Sequence, residues 1–135
     1  MIIDDYDVQI AAVTETWGKP WKEVVLEIQK FTTYRSDRMG RRQGGGCLVY
    51  VSNKLKSYEC KELNNLPGDD SVWCWVRVTE DTKILVGCIY RSTSSGVTNN
   101  ELLMNQIVRA SEVAGNSRII LMGDFNLKEI NWLEN

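Results

Sequence analysis

Three polar groups stand where apolar runs end in this 135-residue chain: Glu15 beyond the run from Val8 to Val13, Tyr90 at the close of the run from Ile84, and Asp124 with Asn126 just past Ile119 to Met122. Their types suit work on a phosphate ester. A glutamate is an oxygen ligand for magnesium, which takes few protein ligands and leaves room for waters and phosphate oxygens. An aspartate such as Asp124 can orient an attacking water or accept its proton, and the Asn126 amide and the Tyr90 hydroxyl can donate to phosphate oxygens where charge develops. Each residue also has an ordinary reading on its own. A glutamate after a strand can be a solvated loop residue, an aspartate before a turn an Asx cap, and a tyrosine a core aromatic.

The chain has no histidine, which removes every Ser-His-Asp, Cys-His and His-ligated metal mechanism from these residues. Its four cysteines, Cys47, Cys60, Cys74 and Cys88, lie 13, 14 and 14 positions apart, each inside an apolar stretch. With no Cys-x-x-Cys pair they read as buried thiols in strands, which implies a reducing, nuclear or cytosolic compartment. Met1-Ile2-Ile3 runs straight into Asp4, Asp5 and Asp7, so neither a basic leader nor a secretory core is expected. The longest apolar run, Ile84 to Tyr90, is too short to span a bilayer, and no membrane partner is expected.

A formal charge of −2 hides an uneven distribution. Residues 1–18 carry four acids and no base, residues 19–61 ten bases against four acids, and residues 62–135 six bases against ten acids. Arg35, Arg38, Arg41 and Arg42 fall within eight positions and run towards Gly44-Gly45-Gly46. Guanidinium groups donate in pairs to phosphate oxygens, so this cluster is a candidate nucleic-acid contact, with a solvated basic loop as the plain alternative.

The elements that must position these groups can be read from periodicity. Val8 to Val13 predicts a short strand buried on both faces. Pro20, Trp21, Val25 and Ile28 predict a helix to about Lys30. Strands are expected over Phe31 to Ser36, Cys47 to Val51 and Leu55 to Lys61, with a turn at Asn53-Lys54 and a loop from Asn64 to Asp70. Val72, Cys74, Val76 and Val78 alternate with Trp73, Trp75 and Arg77, which predicts a strand with one core face and one aromatic face. After the strand Ile84 to Tyr90 and a polar loop, Asn99 or Asn100 is expected to cap a helix with Leu103, Ile107, Ala110 and Ala114 on one stripe, closed by Gly115. Ile119 to Met122 is the last strand. With 43% hydrophobic and 25% charged residues, the order predicts a mixed α/β layered domain.

Four blocks stand in order: Thr14-Glu15-Thr16-Trp17; Arg35-Ser36-Asp37-Arg38 leading to Gly44-Gly45-Gly46; Tyr90-Arg91; and Gly123-Asp124-Phe125-Asn126-Leu127 with Ile130-Asn131-Trp132. Together they resemble the endonuclease/exonuclease/phosphatase superfamily. More narrowly they resemble the apurinic-endonuclease-like domain that precedes the reverse transcriptase of non-LTR retrotransposons, over essentially the whole chain. The resemblance implies an α/β (α+β) layered sandwich of two mixed β-sheets flanked by helices. It implies metal-dependent hydrolysis of DNA phosphodiesters, with Mg2+ as cofactor and Mn2+ as substitute. By resemblance Glu15 corresponds to the magnesium-binding glutamate and Tyr90 to the active-site tyrosine. Asp124 corresponds to the aspartate that positions water, and Asn126 to the asparagine that helps hold the scissile phosphate. The arginines, Arg91 included, become DNA-backbone candidates. Ser92-Thr93 stands where the branch usually carries prolines.

The same resemblance implies that residues 1–135 form a partial domain, without the family's first, asparagine-bearing strand and without its C-terminal portion, where an aspartate–histidine pair is expected. Exposed strand edges and self-association are then expected, with weak or no activity, since such groups act as a unit. Two alternatives remain open: a non-catalytic relic or nucleic-acid-binding module, and a phosphatase of the same superfamily.

Overall fold

The computed structural model describes residues 6–17, 28–38, 44–68, 70–129 and 133. Arg41, Arg42, the Ile130-Asn131-Trp132 block and most of the helix expected after Pro20 lie outside them; residues 29–30, at the end of that expected helix, form a turn. The chain runs β1 (Ile10–Thr14), β2 (Phe31–Ser36), β3 (Cys47–Ser52), β4 (Lys56–Glu59), α1 (Lys61–Asn64), β5 (Ser71–Arg77), β6 (Lys83–Tyr90), α2 (Val97–Ala114) and β7 (Arg118–Asp124).

Two sheets result. The first has order β1-β3-β2 and is antiparallel, and the second has order β4-β5-β6-β7, antiparallel except for the parallel pair β6 and β7. Position in this order explains the burial of each strand. β3 lies between two neighbours and is buried at all six positions, as its unbroken apolar sequence requires. Among the described residues β1 is an edge strand, so the expectation of burial on both faces fails: it is mostly half-buried, and Val13 is 39% exposed.

The sheets pack face to face over Val49, Val51, Val72, Cys74, Val76, Val86 and Cys88. The opposite face of β5 and β6 carries Trp73, Trp75, Leu85 and Ile89, which meet Leu63 of α1 and Leu103, Ala110 and Ala114 of α2. The alternation of small apolar residues with tryptophans along β5 thus separates two cores, each covered side chain contributing about 1.5–3 kcal/mol. All four cysteines are free and buried. Burial pushes the Cys74 thiol up to about 12.

Two boundaries depart from the sequence reading. β4 stops at Glu59 and is followed by α1, because Asn64 takes over the strand's pairing: its Oδ1 accepts from the Trp73 amide at 2.8 Å and its Nδ2 donates to the Trp73 carbonyl at 3.0 Å. α2 starts at Val97 with Gly96 as N-cap and no side-chain cap. Asn99 and Asn100 lie within its first turn instead, where Asn99 Nδ2 donates to Ser95 Oγ and Asn100 Oδ1 accepts from Arg91. Gly115 closes the helix with φ 56°. Among the described residues, no helix is long and apolar enough to cross a membrane.

Candidate functional site

The strand register gathers the polar groups at one end of the sandwich. Thr14, Cys47 and Ser36 are level across the first sheet, and Tyr90 and Asp124 are level across the second. The carboxyl ends of β1, β2, β6 and β7 therefore lie together. Beyond β1, Glu15 receives a hydrogen bond from the Tyr90 hydroxyl at 2.5 Å to Oε1, a contact that joins the two sheets. Glu15 has φ 54° and Asn126 φ 47°, left-handed values that cost a non-glycine residue roughly 1 kcal/mol or more and persist where the surroundings enforce them.

The surroundings of Glu15 are the glycine loop. The Trp17 amide donates to the Gly45 carbonyl at 3.1 Å. A Cβ on Gly46 would lie 2.5 Å from Thr16 Oγ1, and one on Gly45 would lie 2.5 Å from the Arg38 guanidinium. Both glycines have positive φ, so no other residue lets this loop close on the Glu15 segment without displacement.

Beneath Tyr90 lies a buried ion pair. Arg38 donates from Nε to Asp70 Oδ1 at 3.1 Å and from Nη2 to Oδ2 at 2.7 Å, and the Gly46 amide reaches Oδ1 at 3.5 Å. Asp70 is 3% exposed and Arg38 9%. The Asp70 carbonyl accepts from the Tyr90 amide at 2.9 Å and from the Cys47 thiol at 3.2 Å, while the Arg38 guanidinium carbon sits 5.8 Å from the Tyr90 ring centre. The Tyr90 hydroxyl titrates above its ordinary value, chiefly because its proton is held by Glu15 and also because it is buried, with nearby Arg38 opposing. At neutral pH it is a donor, not a nucleophile.

The Gly-Asp-Phe-Asn segment supplies the other half. A Cβ on Gly123 would sit 1.9 Å from the Ile89 carbonyl oxygen, so the parallel approach of β7 to β6 needs glycine there. Asp124 is exposed, and its carboxylate is unpaired among the described residues. Phe125 turns into the helix-covered core. Asn126 turns back, donating from Nδ2 to the Arg91 carbonyl at 2.7 Å. Two clefts flank these groups: one of about 310 Å3 along Arg38, Asp70, Ser92, Ser94, Ser95, Gly96 and Asn99, and one of about 380 Å3 along Thr93 and residues 123–128. Larger hollows, about 670 and 800 Å3, lie at the other end of the sheets, away from Glu15, Tyr90 and Asp124.

Of the residues singled out in the sequence, the fold brings Glu15 and Tyr90 into contact, places Arg38 near the Tyr90 ring, and holds Asp124 and Asn126 beside the end of β6. Arg35 stands apart on β2, paired with Asp37 at 2.7 Å. The arginine cluster is thus divided: Arg38 is turned inward onto Asp70 instead of outward as a phosphate contact. Arg91 too is engaged internally, through Asn100 and Asn126. Sequence reasoning missed Asp70 and Asn100. The first sits in a loop 32 residues from its partner, and the second has the composition of a helix cap.

The donor set can be tested against a metal. No group of three or more His, Cys, Asp or Glu gathers among the described residues, so a closed protein cage does not fit. An exposed glutamate with one oxygen tied to Tyr90 does fit magnesium, which is commonly held by one or two carboxylates with water and substrate phosphate completing the shell.

Comparison with solved structures finds this fold in the "Endonuclease domain of TRAS1, a telomere-specific non-LTR retrotransposon", with a TM-score of 0.70 and 18% identity over 95% of the present chain. The likeness covers 51% of that chain, so the present chain spans about half its length. No curated protein matches the sequence. The model of the Endonuclease/Exonuclease/phosphatase family matches residues 1–133, the span that carries Glu15, Tyr90, Asp124 and Asn126 on the ends of two stacked sheets, and the chain belongs to that family.

Proposed function

We propose that the chain is part of a divalent-metal-dependent phosphodiesterase domain whose substrate is DNA, of the kind found beside retroelement reverse transcriptases. The observation that carries this reading is the Tyr90–Glu15 bridge between the sheets, with Asp124 level with Tyr90 at the end of β7 and Asn126 just beyond it, bonded to Arg91. Glu15 would hold Mg2+, with Mn2+ as substitute, and the bound cation would supply neutralisation of phosphate charge. Tyr90 keeps Glu15 in one orientation by donating to Oε1, which leaves Oε2 for the cation. Asp124, exposed and unpaired, orients a water for attack. Asn126 uses one amide proton on Arg91 and keeps the other for a phosphate oxygen. Arg35, on β2 and paired with Asp37, would be the described member of the arginine cluster to meet the DNA backbone.

The aspartate–histidine pair that the family resemblance makes part of the chemistry is not supplied by these residues, which include no histidine. Residues 1–135 are accordingly expected to cut slowly at best, and to associate through their unpaired strand edges. The test is incubation with supercoiled plasmid in magnesium, together with DNA binding with and without the metal. Magnesium is expected to tighten binding and to support at most a trace of nicking, both lost in Glu15→Ala; Asp124→Ala is expected to lose the nicking alone. Nicking that survives both substitutions, or binding to which magnesium adds nothing, defeats the reading.

A further inference from the structure

Arg91 follows the active-site tyrosine candidate, and its half-buried side chain is hydrogen-bonded to neighbouring segments of the protein. Its amide donates to the Asp124 carbonyl at 2.8 Å. Its Nη1 donates to the Asn126 carbonyl at 2.9 Å, and its Nε to Asn100 Oδ1, also at 2.9 Å. In return Asn126 Nδ2 donates to the Arg91 carbonyl at 2.7 Å. Four bonds thus tie one residue of the β6 loop to both polar residues of the β7 loop and to the first turn of α2. No carboxylate pairs with Arg91 among the described residues.

A bidentate phosphate contact needs two adjacent N–H groups of the guanidinium fork presented to solvent. Here Nε has given its single N–H to Asn100 and Nη1 one of its two to the Asn126 carbonyl, so the Nε edge of the fork is closed, and a phosphate could be met only through the remaining N–H groups of Nη1 and Nη2. Asn126 meanwhile holds φ 47°, a left-handed conformation that asparagine adopts more readily than other non-glycine residues but that is still one of several open to a loop. The Arg91 bond to the Asn126 carbonyl is placed to select it.

We infer that Arg91 is a positioning residue, a latch that fixes the Asp124–Asn126 segment against the end of β6 and anchors it to α2 through Asn100, and that it is not a contact to the DNA backbone. The inference rests on the functional reading above for what the segment does, but not for whether the latch exists.

The test compares wild type with Arg91→Met, Arg91→Lys and Asn100→Ala. Amide hydrogen exchange over residues 124–127 reports the latch without any substrate. Arg91→Met is expected to speed exchange there about tenfold, the effect of losing a hydrogen bond to a charged group. Arg91→Lys should not restore protection, because one ammonium cannot span both acceptors, and Asn100→Ala should give a smaller increase. The slope of log DNA affinity against log salt should be the same for wild type and Arg91→Met. Unchanged exchange in both Arg91→Met and Asn100→Ala overturns the latch. So does a slope reduced by about 0.9, the worth of one phosphate contact, that Arg91→Lys restores. If wild type binds no DNA at all, the functional reading falls and the exchange arm still decides the latch.

Discussion

Around Tyr90 the polar groups are buried and charged: Arg38 and Asp70 share two hydrogen bonds at 9% and 3% exposure, under a ring whose hydroxyl is held by Glu15. Around Asp124 they lie near solvent: an exposed carboxylate, an asparagine and one arginine that is held by a side-chain amide and a carbonyl and has no acidic partner among the described residues. The first half lies between two sheets. The second hangs from β7, whose far edge has no strand beside it among the described residues. Burial makes the first half inseparable from folding, because breaking it leaves a charge where water cannot follow. The second half can be disturbed while the sandwich stays intact. One site is thus built from a rigid part and an adjustable part.

The largest expected effect comes from splitting the buried pair. Asp70→Ala strands the Arg38 guanidinium and should cost about 3–5 kcal/mol, a large fraction of the roughly 5–15 kcal/mol that holds a domain folded. Urea denaturation measures it. The double substitution Arg38→Met with Asp70→Leu should recover most of the loss; if it is as unstable as Asp70→Ala alone, the contribution of the pair lies in its geometry and not in its charge.

High pH should attack the buried side next. Cys74 is held up to about 12 from 9.0 by burial, and Tyr90 is raised by Glu15 and burial. In both, the folded protein keeps a proton that the unfolded chain releases, so the stabilisation is complete below the unfolded value and is lost as pH rises through the folded one. Stability should decline from about pH 9 upward, by an amount on the order of 4 kcal/mol for Cys74 by pH 12. Cys74→Ala should flatten the first part of that decline, and Tyr90→Phe the part that begins near pH 10. Thermal unfolding at stepped pH checks it, and parallel slopes in all three proteins would contradict the assignment.

How much of this contrast could be read from the sequence differs between the halves. The alternation of Val72, Cys74 and Val76 with Trp73 and Trp75 identifies β5 and both faces it covers, because period-two burial leaves its mark on every residue. Gly123, Asp124 and Asn126 are legible as a block because a short segment carries them. The Arg38–Asp70 pair is not, since nothing local distinguishes Arg38 from Arg35, three residues earlier and paired with Asp37. The half-burial of β1 was likewise out of reach: its composition suits a central strand, and only the strand order makes it an edge. Asn100 reads as a helix cap until Arg91 claims its oxygen.

At neutral pH, Tyr90→Phe should be milder. It deletes the hydrogen bond to Glu15 without opening a cavity, a loss of about 1 kcal/mol. Its functional effect should exceed its structural one, because Glu15 then has no group to hold Oε1 in place. Magnesium titration followed by the Glu15 amide resonance should show weaker binding in Tyr90→Phe than in wild type. Equal binding would mean that the backbone at φ 54°, with the glycine loop behind it, orients Glu15 unaided.

The smallest effect on stability is expected at the outer edge of the adjustable half. Ile119 and Ile120 are successive residues of β7, 38% and 41% exposed, and they face opposite sides of the sheet. Their inward neighbours Leu121 and Met122 pack on the two separate cores, so the exposed isoleucines continue both apolar layers out to solvent. Each is already partly hydrated, and replacing Ile120 by lysine should change folding stability by no more than about 0.5 kcal/mol. Association is another matter. An edge strand with free N–H and C=O groups and apolar side chains on both faces is a template for pairing with a second chain, and a charge on it opposes that pairing. Sedimentation velocity across a concentration series should therefore show wild-type association that Ile120→Lys suppresses, while the same substitution at Val97, 75% exposed but at the start of α2, leaves association unchanged. A wild type that stays monomeric throughout would mean that the edge of β7 is already protected, and the division into a rigid and an adjustable half would then have to end at Asn126 and exclude the strand that carries it.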